Sequence, residues 1–217
     1  MAIQPIDPYP MPVEADLPAG RVSWRPDPRR AVLLVHDMQR YFVAPFDADR
    51  EPRSTLVRNL VRLRAAAIAL GIPVVYTAQP GGMDPAQRGL LNDFWGPGMT
   101  TAPADRRIID ALTPGPADVV LTKWRYSAFH RSDLADRLAT WHRDQLLITG
   151  VYAHVGCLTT AGDAFALDIR PFLLADALAD FSRADHDQAL THGARTCAAV
   201  TTTARALSDL GAHRAAA

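Results

Sequence analysis

The sequence has few cysteines, no long apolar run and no excess of charge of either sign. Its 217 residues include two cysteines, Cys157 and Cys197, which provide neither a disulfide framework nor metal-ligand spacing. No run approaches the roughly 18 apolar residues that span a bilayer, and the first residues lack the apolar segment of a secretory signal. Lys plus Arg and Asp plus Glu number 23 each, so no net field attracts nucleic acid or an anionic membrane. We therefore expect a cytoplasmic protein with no metal, no nucleic-acid partner and no membrane partner.

The usual signatures of nucleotide-binding and serine-hydrolase sites are also missing. The segment after the first apolar run, 36–42, has no glycine, which excludes the dinucleotide-binding fingerprint, and no phosphate-binding loop pattern occurs. The sequence contains no Gly-x-Ser-x-Gly element of the kind that presents a catalytic serine. We expect no nucleotide cofactor.

What the sequence does contain is typical of one globular domain preceded by an extended segment. Apolar residues make up 48% of the chain and charged residues 21%, as in ordinary folded proteins. Residues 1–30 carry seven prolines and predict an extended amino-terminal arm, anchored by Trp24 on the body or on a partner subunit. Residues 31–217 are predicted to form the domain.

Short apolar runs alternate with helical patterns along that domain. The predicted strands cover residues 31–35, 73–77, 119–122, 145–149, 172–175 and 197–201, and the predicted helices cover residues 54–70, 132–141, 157–167, 183–195 and a last segment from Thr203. We expect Ser54 to cap the first helix. The alternation predicts an α/β fold: a single-domain, three-layer α/β/α Rossmann-like sandwich with a six-stranded parallel sheet.

The segment from Gly150 to Asp163 is predicted to lie at the centre of the functional site. It follows a buried strand and begins a helix, so free backbone N–H groups and a positive dipole end should favour an anion there. In a parallel sheet the carboxyl ends of the strands meet at one edge, which brings Asp37, Gln79 and Lys123 to the same place. The long loop at residues 79–104 is also expected to serve function.

Five segments of the chain resemble the isochorismatase family. They are Val-His-Asp37-Met-Gln, Tyr76-Thr-Ala-Gln-Pro80, Phe94-Trp-Gly-Pro-Gly98, Lys123-Trp-Arg-Tyr-Ser-Ala-Phe129 and Gly150-Val-Tyr-Ala-His-Val-Gly156. The resemblance implies a homodimer without cofactor that hydrolyses a small chorismate-derived vinyl ether. Within the family, the segments at 87–91 and 114–116 favour hydrolases of 2-amino-2-deoxyisochorismate from phenazine pathways; siderophore isochorismatases are the alternative.

The resemblance also raises the question of a nucleophile. Cysteine amidases of the broader superfamily use an Asp–Lys–Cys triad with a loop reading Gly-x-Ala-Thr-x-x-Cys, and without gaps that cysteine falls on Gly156. Cys157 follows one residue later, where a helical neighbour points about 100° away. We interpret Cys157 as a small core residue; a thiolate that loop geometry turns into the site, giving an amidase, is the alternative. A non-catalytic interaction protein is a third interpretation.

The resemblance implies general acid catalysis, in which Asp37 protonates the methylene carbon of the vinyl ether. Lys123 is predicted to hydrogen-bond Asp37 or to orient a substrate carboxylate. Because an adjacent ammonium opposes protonation of a carboxyl, we suppose that substrate carboxylates neutralise Lys123. His36 should face the other side of the sheet, by strand alternation, and be structural.

The remaining predicted site residues bind substrate. Arg88 is expected to bind the enolpyruvyl carboxylate in a bidentate manner, while Gln79 and Tyr152 contact the ring hydroxyl or amino group. Gly156 allows the substrate to approach the backbone closely. Three aromatic residues are expected to line the pocket and exclude water: Phe42, Trp95 and Tyr126.

Overall fold

The structure, a computed structural model, describes residues 3–211 and confirms the predicted fold class. The strands are β1 (Ala31–His36), β2 (Val74–Ala78), β3 (Val119–Thr122), β4 (Gln145–Val151), β5 (Arg170–Ala179) and β6 (Ala199–Thr201). They form a six-stranded sheet in the order β3-β2-β1-β4-β5-β6, and every pair of neighbours is parallel. From β1 the chain therefore proceeds through β2 to β3 at one edge of the sheet. It then returns to the middle, where β4 pairs with β1, and proceeds through β5 to β6 at the other edge. Such a reversal leaves a crevice at the carboxyl ends of the two central strands, where ligands of open α/β sheets bind.

The helices in the described part of the chain differ greatly in length. They are α1 (Arg40–Val43), α2 (Arg53–Ala69), α3 (Pro85–Arg88), α4 (Leu91–Trp95), α5 (Pro103–Arg106), α6 (Leu134–Thr140), α7 (Leu158–Ala166), α8 (Arg183–Thr196) and α9 (Thr203–Asp209). A single π-helical turn, Ala153–Cys157, connects β4 to α7. The short helices α3, α4 and α5 occupy the segment predicted as a long loop, because Asp84 caps α3 and prolines begin α3 and α5.

Two apolar clusters, one on each face of the sheet, produce the three layers. On one face α2 packs residues spaced by three and four, Leu56, Leu60 and Leu63, against the central strands. On the other face α6, α7 and α8 cover the sheet with Leu138, Ala161 and Leu190 among others. The central strand β1 is buried at every position, which explains why its sequence shows no polar alternation.

Several predicted boundaries differ from the structure, among them the start of β6, which is Ala199 instead of Cys197. Helix α2 begins at Arg53 with Pro52 before it, and Ser54 lies inside the first turn instead of capping it. Strand β5 continues four residues beyond the predicted end at Ala175, because a register shift against β4 lets pairing resume at Leu178 and Ala179. This extension carries the residues after β5 to the edge of the crevice.

The amino-terminal arm packs on the body of its own chain. Ile6, Tyr9 and Met11 are buried in the same cluster as α2, and the Tyr9 hydroxyl accepts a hydrogen bond of 2.7 Å from the backbone N–H of Asp180. Trp24 is half-buried, with its ring edge-on to Phe172 at 6.5 Å. Among the residues described, no helix has both the length and the apolar character needed to cross a membrane.

Candidate active site

A cleft with an empty volume of about 580 Å³ lies at the carboxyl ends of β1 and β4, where the strand order reverses. All nine residues predicted for the site line it: Asp37, Phe42, Gln79, Arg88, Trp95, Lys123, Tyr126, Tyr152 and Gly156. The structure thus brings these residues together, while their chemical roles stay predictions.

A buried ion pair lies at the bottom of the cleft. The Lys123 ammonium donates to Oδ2 of Asp37 at 2.9 Å, and the two residues are only 3% and 6% exposed. The hydroxyl of Thr77, at the end of β2, donates to Oδ1 of the same carboxylate at 2.5 Å. Each carboxylate oxygen therefore has a donor from the end of another strand, Thr77 in β2 and Lys123 directly after β3, and this fixes the orientation of the carboxylate.

The backbone at Asp37 explains why one prediction failed. Asp37 has a φ of +48° and its N–H donates to Oγ1 of Thr77 at 3.0 Å, so the chain leaves the strand conformation there. The side chains of His36 and Asp37 consequently do not point to opposite faces of the sheet, as they would in a regular strand. His36 lines the same cleft as Asp37 instead of facing away from it. Its Nδ1 lies 2.8 Å from the carbonyl oxygen of Val151 and 3.7 Å from Oδ2 of Asp37.

The ionisation of these groups follows from their burial and their neighbours. Burial raises the pKa of the Asp37 carboxyl, but the ammonium of Lys123 and the hydrogen bonds to the carboxylate lower this pKa more, so its net shift is downward. Burial and the charge of Lys123 lower the pKa of His36 to about 4. Near neutral pH, Asp37 is therefore a carboxylate paired with Lys123, and His36 is neutral.

Gly156, on which the resemblance predicts that the superfamily nucleophile would fall, has no room for a side chain. A Cβ atom on this residue would lie 2.3 Å from Cε1 of His36, well inside contact distance. Cys157 next to it is fully buried in the cluster on the α6–α7–α8 face and is not one of the residues lining the cleft. Burial, and to a lesser degree the Asp37 carboxylate, raises the pKa of the Cys157 thiol well above its ordinary value. This is the environment of an inert core thiol.

Arg88 and Gln79 form the polar side of the cleft. Arg88 is 5% exposed; its Nε donates to the carbonyl oxygen of Gly96 at 2.9 Å and its Nη1 to Oε1 of Gln79 at 3.2 Å. Gly98, with a φ of +76°, permits this because a Cβ there would lie 2.8 Å from the guanidinium carbon. The guanidinium is thereby held in place with donors left for an anion.

A second polar residue, missed from sequence, positions Gln79. The side-chain oxygen of Gln39 accepts from the N–H of Gln79 at 2.7 Å, and its amide donates to the carbonyl oxygens of Gln79 at 2.9 Å and Arg106 at 2.7 Å. Gln39 thus joins the end of β1 to the loop after β2. It lies two residues beyond Asp37 in one of the segments that carry the family resemblance, which was an available signal.

Stacked aromatic rings line the opposite side of the cleft. Phe181 stacks on Tyr152 with ring centroids 4.1 Å apart and on Trp95 at 5.8 Å. The indole N–H of Trp95 donates to the Tyr126 hydroxyl at 2.8 Å, and the Tyr152 hydroxyl donates to the carbonyl oxygen of Phe42 at 2.7 Å. Since its proton is used in this way, the Tyr152 hydroxyl can offer a substrate only a lone pair.

Phe181 and several other lining residues were not predicted. Phe181 reaches the cleft because β5 continues to Ala179, and a strand ending at Ala175 gives no reason to place it there. Further lining residues are Ile3, Tyr41, Leu91, Arg125, Val151 and Val155. Across the described residues, no group of three or more His, Cys, Asp or Glu side chains is arranged to hold a metal ion.

Comparisons with known proteins identify the family of the chain. Residues 31–205 match the isochorismatase domain family. The chain is 56% identical to the phenazine biosynthesis protein PhzD of Pseudomonas fluorescens over 202 residues, 93% of this chain and 96% of the relative. It is 52% identical to the isochorismatase of Bacillus subtilis (strain 168) over 210 residues, 97% of this chain and 67% of the relative.

A solved structure shares the architecture at lower identity. The cysteine hydrolase from Pseudomonas syringae pv. phaseolicola 1448A superposes with a TM-score of 0.77 at 27% identity, covering 89% of this chain and 97% of that one. Fold and sequence identity therefore agree: the chain belongs to the isochorismatase family, whose members are hydrolases acting on isochorismate-type substrates.

Proposed function

We propose that the protein hydrolyses the enolpyruvyl vinyl ether of 2-amino-2-deoxyisochorismate, giving pyruvate and trans-2,3-dihydro-3-hydroxyanthranilate. Asp37 is the general acid. It transfers a proton to the terminal methylene carbon, and the resulting oxocarbenium ion takes up water to form a hemiketal. Collapse of the hemiketal breaks the bond between the ether oxygen and the former vinyl carbon.

The observation that carries this proposal is a buried carboxyl group at the bottom of a cleft that offers no nucleophile. Asp37 and Lys123 are present, but Gly156 stands in the nucleophile's position and the thiol of Cys157 lies in the core. A site built this way supports proton transfer to substrate, not covalent catalysis. The amidase interpretation is disfavoured for the same reason.

The negative charges of the substrate favour the protonated form of Asp37. The ammonium of Lys123 lowers the pKa of Asp37. A chorismate-derived substrate brings two carboxylates, and Arg88 and Lys123 are the buried cations of the cleft. An anion that pairs with Lys123 and a low-dielectric, ligand-filled cleft both favour the neutral carboxylic acid. Arg88 is positioned to bind the other carboxylate.

The choice of the amino substrate rests on the relatives and on the segments at 87–91 and 114–116. PhzD is matched over 96% of its length, against 67% for the Bacillus isochorismatase. Isochorismate, giving 2,3-dihydro-2,3-dihydroxybenzoate and pyruvate in a siderophore-type pathway, is the second candidate, because the Bacillus relative still covers 97% of this chain at 52% identity. The two substrates differ by one ring substituent, which the amide of Gln79 or the Tyr152 hydroxyl would contact.

The assay offers both compounds to the purified enzyme at equal concentration and follows pyruvate through lactate dehydrogenase. We expect a higher kcat/KM for the amino compound. A higher value for isochorismate would assign the second candidate, and release of no pyruvate from either would refute vinyl ether hydrolysis. In the same preparation, sedimentation velocity tests the proposed homodimer, which would appear as a single species of twice the chain mass. We also propose a cytoplasmic location, which cell fractionation tests.

A further inference from the structure

The carboxylate of Asp180 is a buried anion next to the aromatic side of the cleft. The residue is 0% exposed, and the proposed function assigns it no role. Its Oδ2 accepts from the backbone N–H of His154 at 2.6 Å, and its Oδ1 accepts from the backbone N–H of Phe181 at 2.9 Å. The imidazole of His154 supplies a third donor, with Nδ1 at 2.8 Å from Oδ1. A buried carboxylate depends on such donors, because an unpaired charge in the interior is very costly.

These three donors belong to the two segments that form one wall of the cleft. His154 lies in the π-helical turn Ala153–Cys157, in which Gly156 lines the cleft, and Phe181 directly follows Asp180. Neither His154 nor Asp180 is itself among the lining residues. The carboxylate therefore joins the turn after β4 to the end of β5 from behind the wall.

This connection fixes the position of the Phe181 ring. The ring stacks on Tyr152 with centroids 4.1 Å apart and on Trp95 at 5.8 Å. The imidazole of His154 also packs against it, at 5.8 Å and with an angle of 69° between the ring planes. His154 thus holds Phe181 in two ways, by direct ring contact and through the carboxylate of Asp180.

The hydrogen bond between His154 and Asp180 persists whether or not the imidazole is charged. Nδ1 faces a carboxylate oxygen and therefore carries a proton in both the neutral and the charged ring. The same bond raises the pKa of His154. The His154 side chain is 34% exposed, so its replacement disturbs the core less than replacement of the fully buried Asp180.

We propose that His154 and Asp180 are positioning residues, which hold the Phe181 ring against Tyr152 so that the two rings form a fixed wall for the substrate. The inference deepens the proposed function and rests on it for the identity of the substrate. The two residues act through Phe181 and do not touch the reacting atoms. Such a wall contacts the substrate equally before and during proton transfer, so loosening it should weaken binding without slowing the chemical step.

The first test compares His154→Leu with His154→Asn in steady-state pyruvate release. The asparagine amide takes the place of Nδ1 and can still donate to Asp180, whereas leucine offers no donor. We expect His154→Leu to raise KM about 2- to 10-fold, the effect of one weakened aromatic contact, with kcat unchanged. His154→Asn should keep KM close to the wild-type value. His192→Leu, at an exposed position of α8, is the matched control.

A cycle with Phe181→Leu shows whether His154 acts through the aromatic ring. If it does, the double variant has the KM of Phe181→Leu alone, because there is no longer a ring to position. A folded His154→Leu enzyme with the wild-type KM would overturn the inference, and so would a KM effect that multiplies in full with that of Phe181→Leu. A lower kcat at unchanged KM would also overturn it, since this shows only that fewer molecules are folded.

Hydrogen exchange tests the positioning without any substrate. Mass spectrometry of peptides covering residues 150–157 and 178–184 should show faster exchange in His154→Leu than in the wild type, and wild-type rates in His154→Asn. Unchanged exchange in these peptides, or faster exchange that extends to α2 as well, would overturn the inference. This result is independent of pyruvate release, so it decides the role of His154 even if the wild-type enzyme releases none and the proposed function fails.

Discussion

Replacing Asp37 by asparagine separates the stability of the buried pair from its chemistry. Asparagine has the same shape and can still accept from the Thr77 hydroxyl, which donates to Oδ1 in the wild type. The ammonium of Lys123, 3% exposed and 2.9 Å from Oδ2, then has no anion to pair with. Removing one partner of a buried ion pair costs about 3–5 kcal/mol. At about 2–4 °C per kcal/mol for a chain of this size, the thermal midpoint should fall by roughly 6–20 °C.

The double variant Asp37→Asn/Lys123→Met tests whether that loss comes from the unpaired charge. Methionine fills similar volume without a charge, and apolar replacement of a whole buried pair is often neutral or stabilising. The midpoint should therefore return to the wild-type value or exceed it. Pyruvate release should stay about 10²–10⁴-fold below wild type in both variants, because each lacks the acid.

Acidification provides an independent check with a defined sign. The pKa of Asp37 is lower in the folded protein than its ordinary value of about 4. The ionised carboxylate therefore stabilises the folded protein at any pH above about 4. This stabilisation is lost as the pH falls from about 4 through the lower pKa of the folded protein. The difference in thermal midpoint between wild type and Asp37→Asn should be largest at pH 7 and should become smaller below about pH 4. Equal midpoints at pH 7, or a double variant that still releases pyruvate, would refute the reasoning.

Three further predictions concern neighbouring residues. Gly156→Ala places a methyl group 2.3 Å from Cε1 of His36, so the imidazole ring must move. We expect the free energy of unfolding to fall by about 1–3 kcal/mol and kcat to fall markedly. Wild-type turnover would show that the cleft tolerates a side chain at this position. Iodoacetamide should leave Cys157 unlabelled and the enzyme active under native conditions, because the thiol is fully buried. Loss of activity that parallels labelling of Cys157, and that does not occur in Cys157→Ala, would support the amidase mechanism. Tyr152→Phe removes a donor to the carbonyl oxygen of Phe42 and should cost about 1 kcal/mol in denaturant unfolding. Because that proton is already donated to Phe42, we expect Gln79 to make the contact with the ring substituent and kcat/KM to stay within a few-fold. A 100-fold loss would assign that contact to the Tyr152 hydroxyl.

The sheet was predictable from sequence because buried parallel strands leave a simple pattern. Strand β1 is apolar without alternation up to His36, and the carboxyl ends of such strands must share one edge. This was enough to place Asp37 and Lys123 in one cleft. The predictions for Arg88 and Trp95 had a different origin, the family resemblance, since no periodicity in a long segment of glycine and proline identifies which side chains turn inward.

Local backbone geometry was not predictable in the same way. The positive φ of Asp37 cancels the alternation that would have sent His36 to the other face. The register shift between β4 and β5 lengthens β5, and only that extension brings Phe181 against Tyr152. Both features depend on pairing between distant parts of the chain, and neither leaves a periodic signal in the residues that adopt it.

The docking of the arm ties the completion of the site to the end of protein synthesis. Ile3 lines the cleft, and the arm that carries it is held by Tyr9, whose hydroxyl bonds to the backbone of Asp180, 171 residues later. At about 5–20 residues per second, a ribosome needs roughly 10–30 seconds between making these two residues. During that interval the Tyr9 hydroxyl lacks this partner, and the arm can contact only segments already made, such as Pro45 and Glu51, whose carbonyl oxygens accept from Ile6 and Tyr9. A chain released before Asp180 would carry Asp37 and Lys123 but could not close the cleft over them.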